Sequence, residues 1–126
     1  MSPSRLARIE SGIRLVLDFN SAFNRHDIAV LTDLIRDDCI FETSGPAPDG
    51  KVFAGKKDII KYWQDFFQYF KQANNEIEEI YGFGNRCILR WKFVWAGEFE
   101  IDHLRGVDIF KVEDNLICEK LSYIKG

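Results

Sequence analysis

Two histidines, three cysteines and one methionine are all that this 126-residue chain offers a soft or borderline metal ion. His26 and His103 lie far apart, and Cys39, Cys87 and Cys118 form no Cys-x-x-Cys pair, so neither a zinc site nor an iron site is expected. An odd number of cysteines also excludes a fully paired disulfide framework. Each stands beside an apolar residue of a predicted strand and reads as a small buried hydrophobe, and reduced thiols fit the cytoplasm. There is no phosphate-cradling glycine loop and no nucleophilic triad, and no cofactor is expected. Basic residues are scattered among a slight acidic excess, for a net charge of -3, which lacks the clustered footprint of a nucleic-acid binder. Lys56, Lys57 and Lys61 open a helix and read as a solvated face. No apolar run reaches membrane-spanning length and Met1 to Arg8 carries no signal core, so a soluble cytoplasmic protein with no membrane partner is expected.

Aromatic residues, by contrast, are plentiful: eleven are phenylalanines, together with three tryptophans and four tyrosines. Each buried ring removes ~150–250 Å² from water, so this much ring surface predicts a thick core or a lined cavity. The length suits one domain over residues 1–126. Leu6, Ile9, Ile13, Val16, Leu17, Phe19 and Phe23 recur at steps of three and four, one apolar stripe on a long first helix. Asn24-Arg25-His26 ends it, and Asp27 is placed to cap a short second helix. That helix turns Leu31, Leu34 and Ile35 inward and stops near Asp37-Asp38. Cys39 to Thr43 reads as a strand, and Ser44 to Gly50 as a loop rich in Gly and Pro. A third helix from about Lys56 carries Ile59, Trp63, Phe66, Phe67 and Phe70 on one side.

The remainder is β. Ile77 to Phe83 is a predicted strand closed by Gly84-Asn85. Cys87, Leu89, Trp91, Phe93 and Trp95 then alternate with a more polar set, the mark of a strand with one face against a core. After a turn near Gly97 a long strand runs from Phe99 to Val112, and Asp114-Asn115 returns the chain as Leu116 to Ile124. In the long strand the apolar residues are odd-numbered before Gly106 (Phe99, Ile101) and even-numbered after it (Phe110, Val112). A β-bulge at Gly106 would flip the parity, and would turn both His103 and Asp108 toward the concave side. Val107, Ile109 and Leu121 would then form an apolar convex face that needs a second copy of the chain, so a homodimer is expected.

Asp108 sits in the apolar run from Val107 to Phe110. Loss of hydration there favours a neutral carboxyl group able to donate a proton or a hydrogen bond; the alternative is an aspartate anchored structurally. His103 is a candidate base or proton partner for it, against a structurally bonded or exposed imidazole. Trp63, Trp91 and Trp95 can wall a ligand site or simply pack the core. Nothing in spacing selects among Tyr62, Tyr69, Tyr81 and Tyr123 as a hydroxyl donor.

The stretch Phe23-Asn24-Arg25-His26-Asp27 to Leu34-Ile35-Arg36-Asp37-Asp38, and the stretch Arg105-Gly106-Val107-Asp108-Ile109-Phe110 through Glu113-Asp114-Asn115 to Ile117-Cys118-Glu119, carry a family resemblance. Over almost its whole length the chain resembles the nuclear transport factor 2-like superfamily, which includes ketosteroid isomerase and the SnoaL-like polyketide cyclases. The resemblance implies an α+β, cone-shaped barrel: three N-terminal helices on a strongly curved, antiparallel or mixed sheet that encloses a pocket. For function it implies much less, because the fold hosts many activities. Where ketosteroid isomerase has its carboxylate base this chain has Thr43, and where it has a tyrosine donor it has Phe19. Its protonated strand aspartate matches Asp108, and the cyclases' aspartate matches Ser122. Glu42, next to Thr43, is a stand-in base only if the register differs. The reading is a pocket for a small, largely apolar ring compound with Asp108 as acid or donor and His103 as its partner. Thr43, Phe19, Trp63, Trp91 and Ser122 would line it. Isomerase, dehydratase or cyclase chemistry is one outcome; a non-catalytic binding or dimerisation module, favoured by the missing carboxylate at Thr43, is the other.

Overall fold

The structure, a computed structural model, describes residues 3–96 and 103–126. Helix α1 spans Pro3–Asn24, with a proline at its first position where no amide donor is needed. Leu15, Val16, Phe19 and Ala22 are its buried hydrophobic residues, with Asn20 buried beside them, while Leu6 and Leu17 are exposed. The buried stripe is therefore shorter than the periodicity predicts: Leu17 lies on the opposite arc from Val16 and Phe19. Further toward the start, Ile9 and Ile13 press on Gly82, where an added Cβ would lie 2.7 Å from Ile9.

Helix α2 covers only Ile28–Asp33, capped by Asp27, whose Oδ1 accepts from the Val30 amide at 3.1 Å. Ile35 does not continue it, contrary to expectation. Ile35 opens strand β1 (Ile35–Glu42), which runs parallel to the last strand, and the Ile117 amide donates to the Leu34 carbonyl at 2.9 Å. A β-branched residue suits either element, and the distant pairing decides. Strand β2 (Val52–Ala54), which periodicity missed, pairs antiparallel with the end of β1. Helix α3 (Lys56–Tyr69) starts after Gly55, whose φ of 89° is open to glycine, and buries Ile59, Trp63 and Phe67 at four-residue steps.

Four antiparallel strands complete the sheet: β3 (Ala73–Phe83), β4 (Arg86–Trp95), β5 (His103–Glu113) and β6 (Leu116–Ile124). Their order is β2-β1-β6-β5-β4-β3. At the β5–β6 turn Asp114 and Asn115 both have positive φ, as a type I′ hairpin requires. The core fills the space between the inner sheet face and helices α1 and α3, and all three cysteines are buried and unpaired. Among the described residues no helix is long and apolar enough to cross a membrane.

Gly106 is not a bulge. From His103 to Lys111, β5 pairs with β4 without a shift, and its irregularity against β6 falls between Lys111 and Val112. Asp108 thus faces inward with Gly106 and Phe110, while His103 shares the outer face with Arg105, Val107 and Ile109. Phe99 and Ile101, which suggested the parity flip, and the turn near Gly97 lie outside the described residues.

Candidate functional site

The inner face of the sheet and the two long helices enclose a cavity of about 120 Å³. Its floor is aromatic. The Phe19 ring lies 6.2 Å from Phe41, 6.1 Å from Trp63 and 5.7 Å from Phe110, centroid to centroid. A second ring cluster, with Phe23, Phe66, Phe70, Phe93 and Trp95, fills one flank.

The polar groups converge from β5 and β6. Asp108 stands directly opposite Ser122, and strand alternation brings Lys120 onto the same inner face. Lys120 Nζ lies 3.7 Å from Asp108 Oδ2, donates to Ser122 Oγ at 3.1 Å and sits 4.9 Å from the centre of the Phe41 ring. Both side chains of the ion pair are largely buried, 15% exposed for Lys120 and 8% for Asp108. The aspartate is therefore not a lone carboxyl group among hydrocarbons, as its neighbours in sequence suggest, but one charge of a compensated pair. Its other oxygen, Oδ1, is buried with no hydrogen-bond partner, and so is Trp91 Nε1. Tyr62 of α3 lines the same cavity. Burial pushes its hydroxyl upward from the usual range, Lys120 pulls it down and Asp108 adds to the rise, so it stays a neutral phenol at neutral pH.

The structure brings Phe19, Thr43, Trp63, Trp91, Asp108 and Ser122 to one cavity. Trp63 is almost wholly buried and serves as wall. The Thr43 hydroxyl is engaged elsewhere: it donates to the Gly45 carbonyl at 2.8 Å and accepts from the Lys51 amide at 3.0 Å, closing the 44–50 loop. His103 is not part of the site; without the bulge it is exposed on the far face of the sheet from Asp108. Glu42 lies in an outer groove beside Pro48 and Asp49 that meets the cavity at Thr43, Ser44, Ser122 and Ile124, so it stands at the mouth rather than over the floor. His26 stacks on Phe67 at 4.3 Å, a packing role.

Lys120 was missed by sequence reasoning, and Tyr62 was one of four tyrosines among which spacing did not choose. Lys120 had a signal: it alternates with Ser122 on the inward side of the last strand. Tyr62 precedes Trp63 on α3 and had none. Asn20 and Asn75 also border the cavity, but their amides are engaged: Asn75 Nδ2 donates to Asn20 Oδ1 at 2.9 Å and Asn20 Nδ2 to the Asn75 backbone carbonyl at 3.0 Å. They tie α1 to β3. Among the described residues no three His, Cys, Asp or Glu side chains come together as metal ligands.

Comparisons with known proteins agree on the fold. A nuclear transport factor 2-like protein of unknown function from Mesorhizobium loti is 32% identical, with 94% of each chain covered and a TM-score of 0.82. A provisionally named ketosteroid isomerase from Kribbella flavida (15% identity, 94% of this chain and 80% of that one, TM-score 0.78) shares the fold alone. So does a provisionally named SnoaL-like polyketide cyclase from Shewanella denitrificans (19% identity, 90% of each chain, TM-score 0.77). No curated protein sequence matches the chain. The profile of the SnoaL-like domain matches residues 16–120, and with the α+β fold of six curled strands it follows that the chain belongs to the SnoaL-like family of the nuclear transport factor 2-like superfamily.

Proposed function

We propose that the cavity binds a small, largely apolar compound with a single ring, and that Asp108 is the group that acts on it. One observation carries this reading: Asp108 Oδ1 and Trp91 Nε1, on two residues that line a cavity rich in aromatic rings, are buried without a partner. Leaving a buried polar atom unpaired costs ~1–3 kcal/mol, a cost that a bound ligand with the matching groups removes. The cavity volume of about 120 Å³ supports one ring, since an apolar cavity of ~150 Å³ accommodates benzene. Acid–base chemistry of the isomerase, dehydratase or cyclase kind is consistent with a carboxylate, an ammonium and a phenol around one space. Titration calorimetry with phenol as probe, followed by product analysis with ring ketones and alcohols, tests it. Asp108→Ala should weaken phenol binding by ~1–3 kcal/mol. Undiminished binding by that variant overturns the assignment.

A non-catalytic binding module is the second reading, favoured by Thr43. Its hydroxyl is consumed by the loop, so Thr43 itself supplies no base to the cavity. Binding without turnover decides for the module. The three unpaired thiols support a reducing, cytoplasmic setting for either. The proposed partner in both is a second copy of the chain, seated on the outer sheet face where Ile88, Ile109 and Leu121 adjoin across three strands.

A further inference from the structure

The position of Lys120 bears on which ring compounds the cavity selects, an inference that rests on the binding reading above. Its ammonium is engaged on three sides: the Asp108 carboxylate at 3.7 Å, the Ser122 hydroxyl at 3.1 Å and the Phe41 ring face at 4.9 Å. An ion is costly to bury unless a partner compensates it, and here each charge compensates the other. Among the described residues the charges lining the cavity, Asp108 and Lys120, sum to zero, so an ionic ligand would bring an unbalanced charge beside the pair.

What remains available is directional. A carboxylate oxygen only accepts hydrogen bonds, and Oδ1 of Asp108 has none to accept; an indole N–H only donates, and Trp91 Nε1 has nothing to donate to. A hydroxyl group on a ring answers both, donating to Oδ1 and accepting from Nε1. A ketone or ether oxygen answers Trp91 alone and leaves Oδ1 facing a lone pair.

We infer that Lys120 is a positioning residue that holds Asp108 as a hydrogen-bond acceptor, so that the cavity selects neutral hydroxylated rings over rings that carry only an acceptor. In a reaction the proton would leave the ligand hydroxyl for Asp108 Oδ1, and the charge left on the ligand oxygen would face the Trp91 N–H. This is the reverse of the proton donation that the apolar neighbours of Asp108 in sequence suggest.

The test compares phenol with anisole, its acceptor-only methyl ether, and with toluene, by calorimetry on the full chain and on Lys120→Met, Lys120→Gln and Lys120→Arg. Near-ultraviolet circular dichroism checks that each variant keeps its tertiary packing. Wild type should bind phenol at least about tenfold more tightly than anisole, in keeping with the cost of an unpaired buried acceptor. Lys120→Met and Lys120→Gln should shrink that preference to about threefold or less, because an uncompensated buried carboxyl group takes up a proton and becomes a donor to the ether oxygen. Lys120→Arg should restore the preference. Equal weakening of phenol and anisole in a folded Lys120 variant would show a merely structural lysine and overturn the inference. Equal binding of the two probes by wild type would also overturn it, whatever the variants do, while leaving the ring-binding reading intact. If none of the three probes binds wild type, the ring-binding reading itself falls.

Discussion

Gly106 of β5 and Trp91 of β4 are paired residues packed so closely that a Cβ on Gly106 would sit 2.6 Å from Trp91 Cζ2, and 2.3 Å from the Tyr123 carbonyl oxygen. The glycine's missing side chain, rather than a bulge, is what leaves room for the Trp91 ring against the strand. Gly106→Ala should destabilise the fold by ~1–3 kcal/mol, the usual cost of overpacking, because backbone on one side and a large ring on the other leave no room to yield. Urea unfolding measures it, and a shift in Trp fluorescence should accompany it. Unchanged stability would mean that the indole moves freely.

The outer sheet face predicts self-association. Ile109 stands opposite Ile88 on one side and Leu121 on the other, and Val107 opposite Tyr123, which is about half exposed. Sedimentation at micromolar concentration should give twice the chain mass of 14.7 kDa. Ile109→Glu or Val107→Glu should shift the equilibrium toward monomer, since a charge in an apolar interface lacks both water and a partner. A monomer mass for wild type rules the interface out.

Steroid enone isomerisation should be negligible. That chemistry needs a base over the ring and paired donors at the oxygen, whereas Phe19 has no hydroxyl and Thr43 spends its own on the loop. The cavity of about 120 Å³ is also small for four fused rings. Absorbance at the conjugated-enone band, followed with purified protein, should not rise above the buffer rate.

The thiols should be silent in the native state. Burial is the main cause that pushes Cys39 up to about 12 and Cys87 up to about 11, from a reference of 9.0, so neither forms much thiolate at pH 8. A disulfide reagent should label both only after denaturation. Because their folded values lie above the unfolded value, their contribution to stability is complete below pH 9 and declines as pH rises from about 9 toward 12. Unfolding midpoints measured between pH 8 and 10.5 should fall over the upper part of that range. A midpoint that rises across it would contradict the assignment.

Much of the architecture was legible from local pattern. The alternation from Cys87 to Trp95 is β4, the Asp27 cap starts α2, and Asp114-Asn115 forms the last hairpin, because each signal depends on residues within a turn or two of one another. The inward place of Asp108 follows from the same period of two. Tertiary structure decided what depends on partners distant in the chain. Ile35 joins β1 rather than α2 because Ile117 pairs with it across the sheet. His103 faces outward because β4 holds β5 in register past Gly106. Asp108 acquires the charge of Lys120 from the neighbouring strand and the phenol of Tyr62 from a helix 46 positions earlier. Periodicity states which face a side chain takes, but not what stands across from it. At a buried carboxylate, the group across from it determines whether the site donates a proton or accepts one.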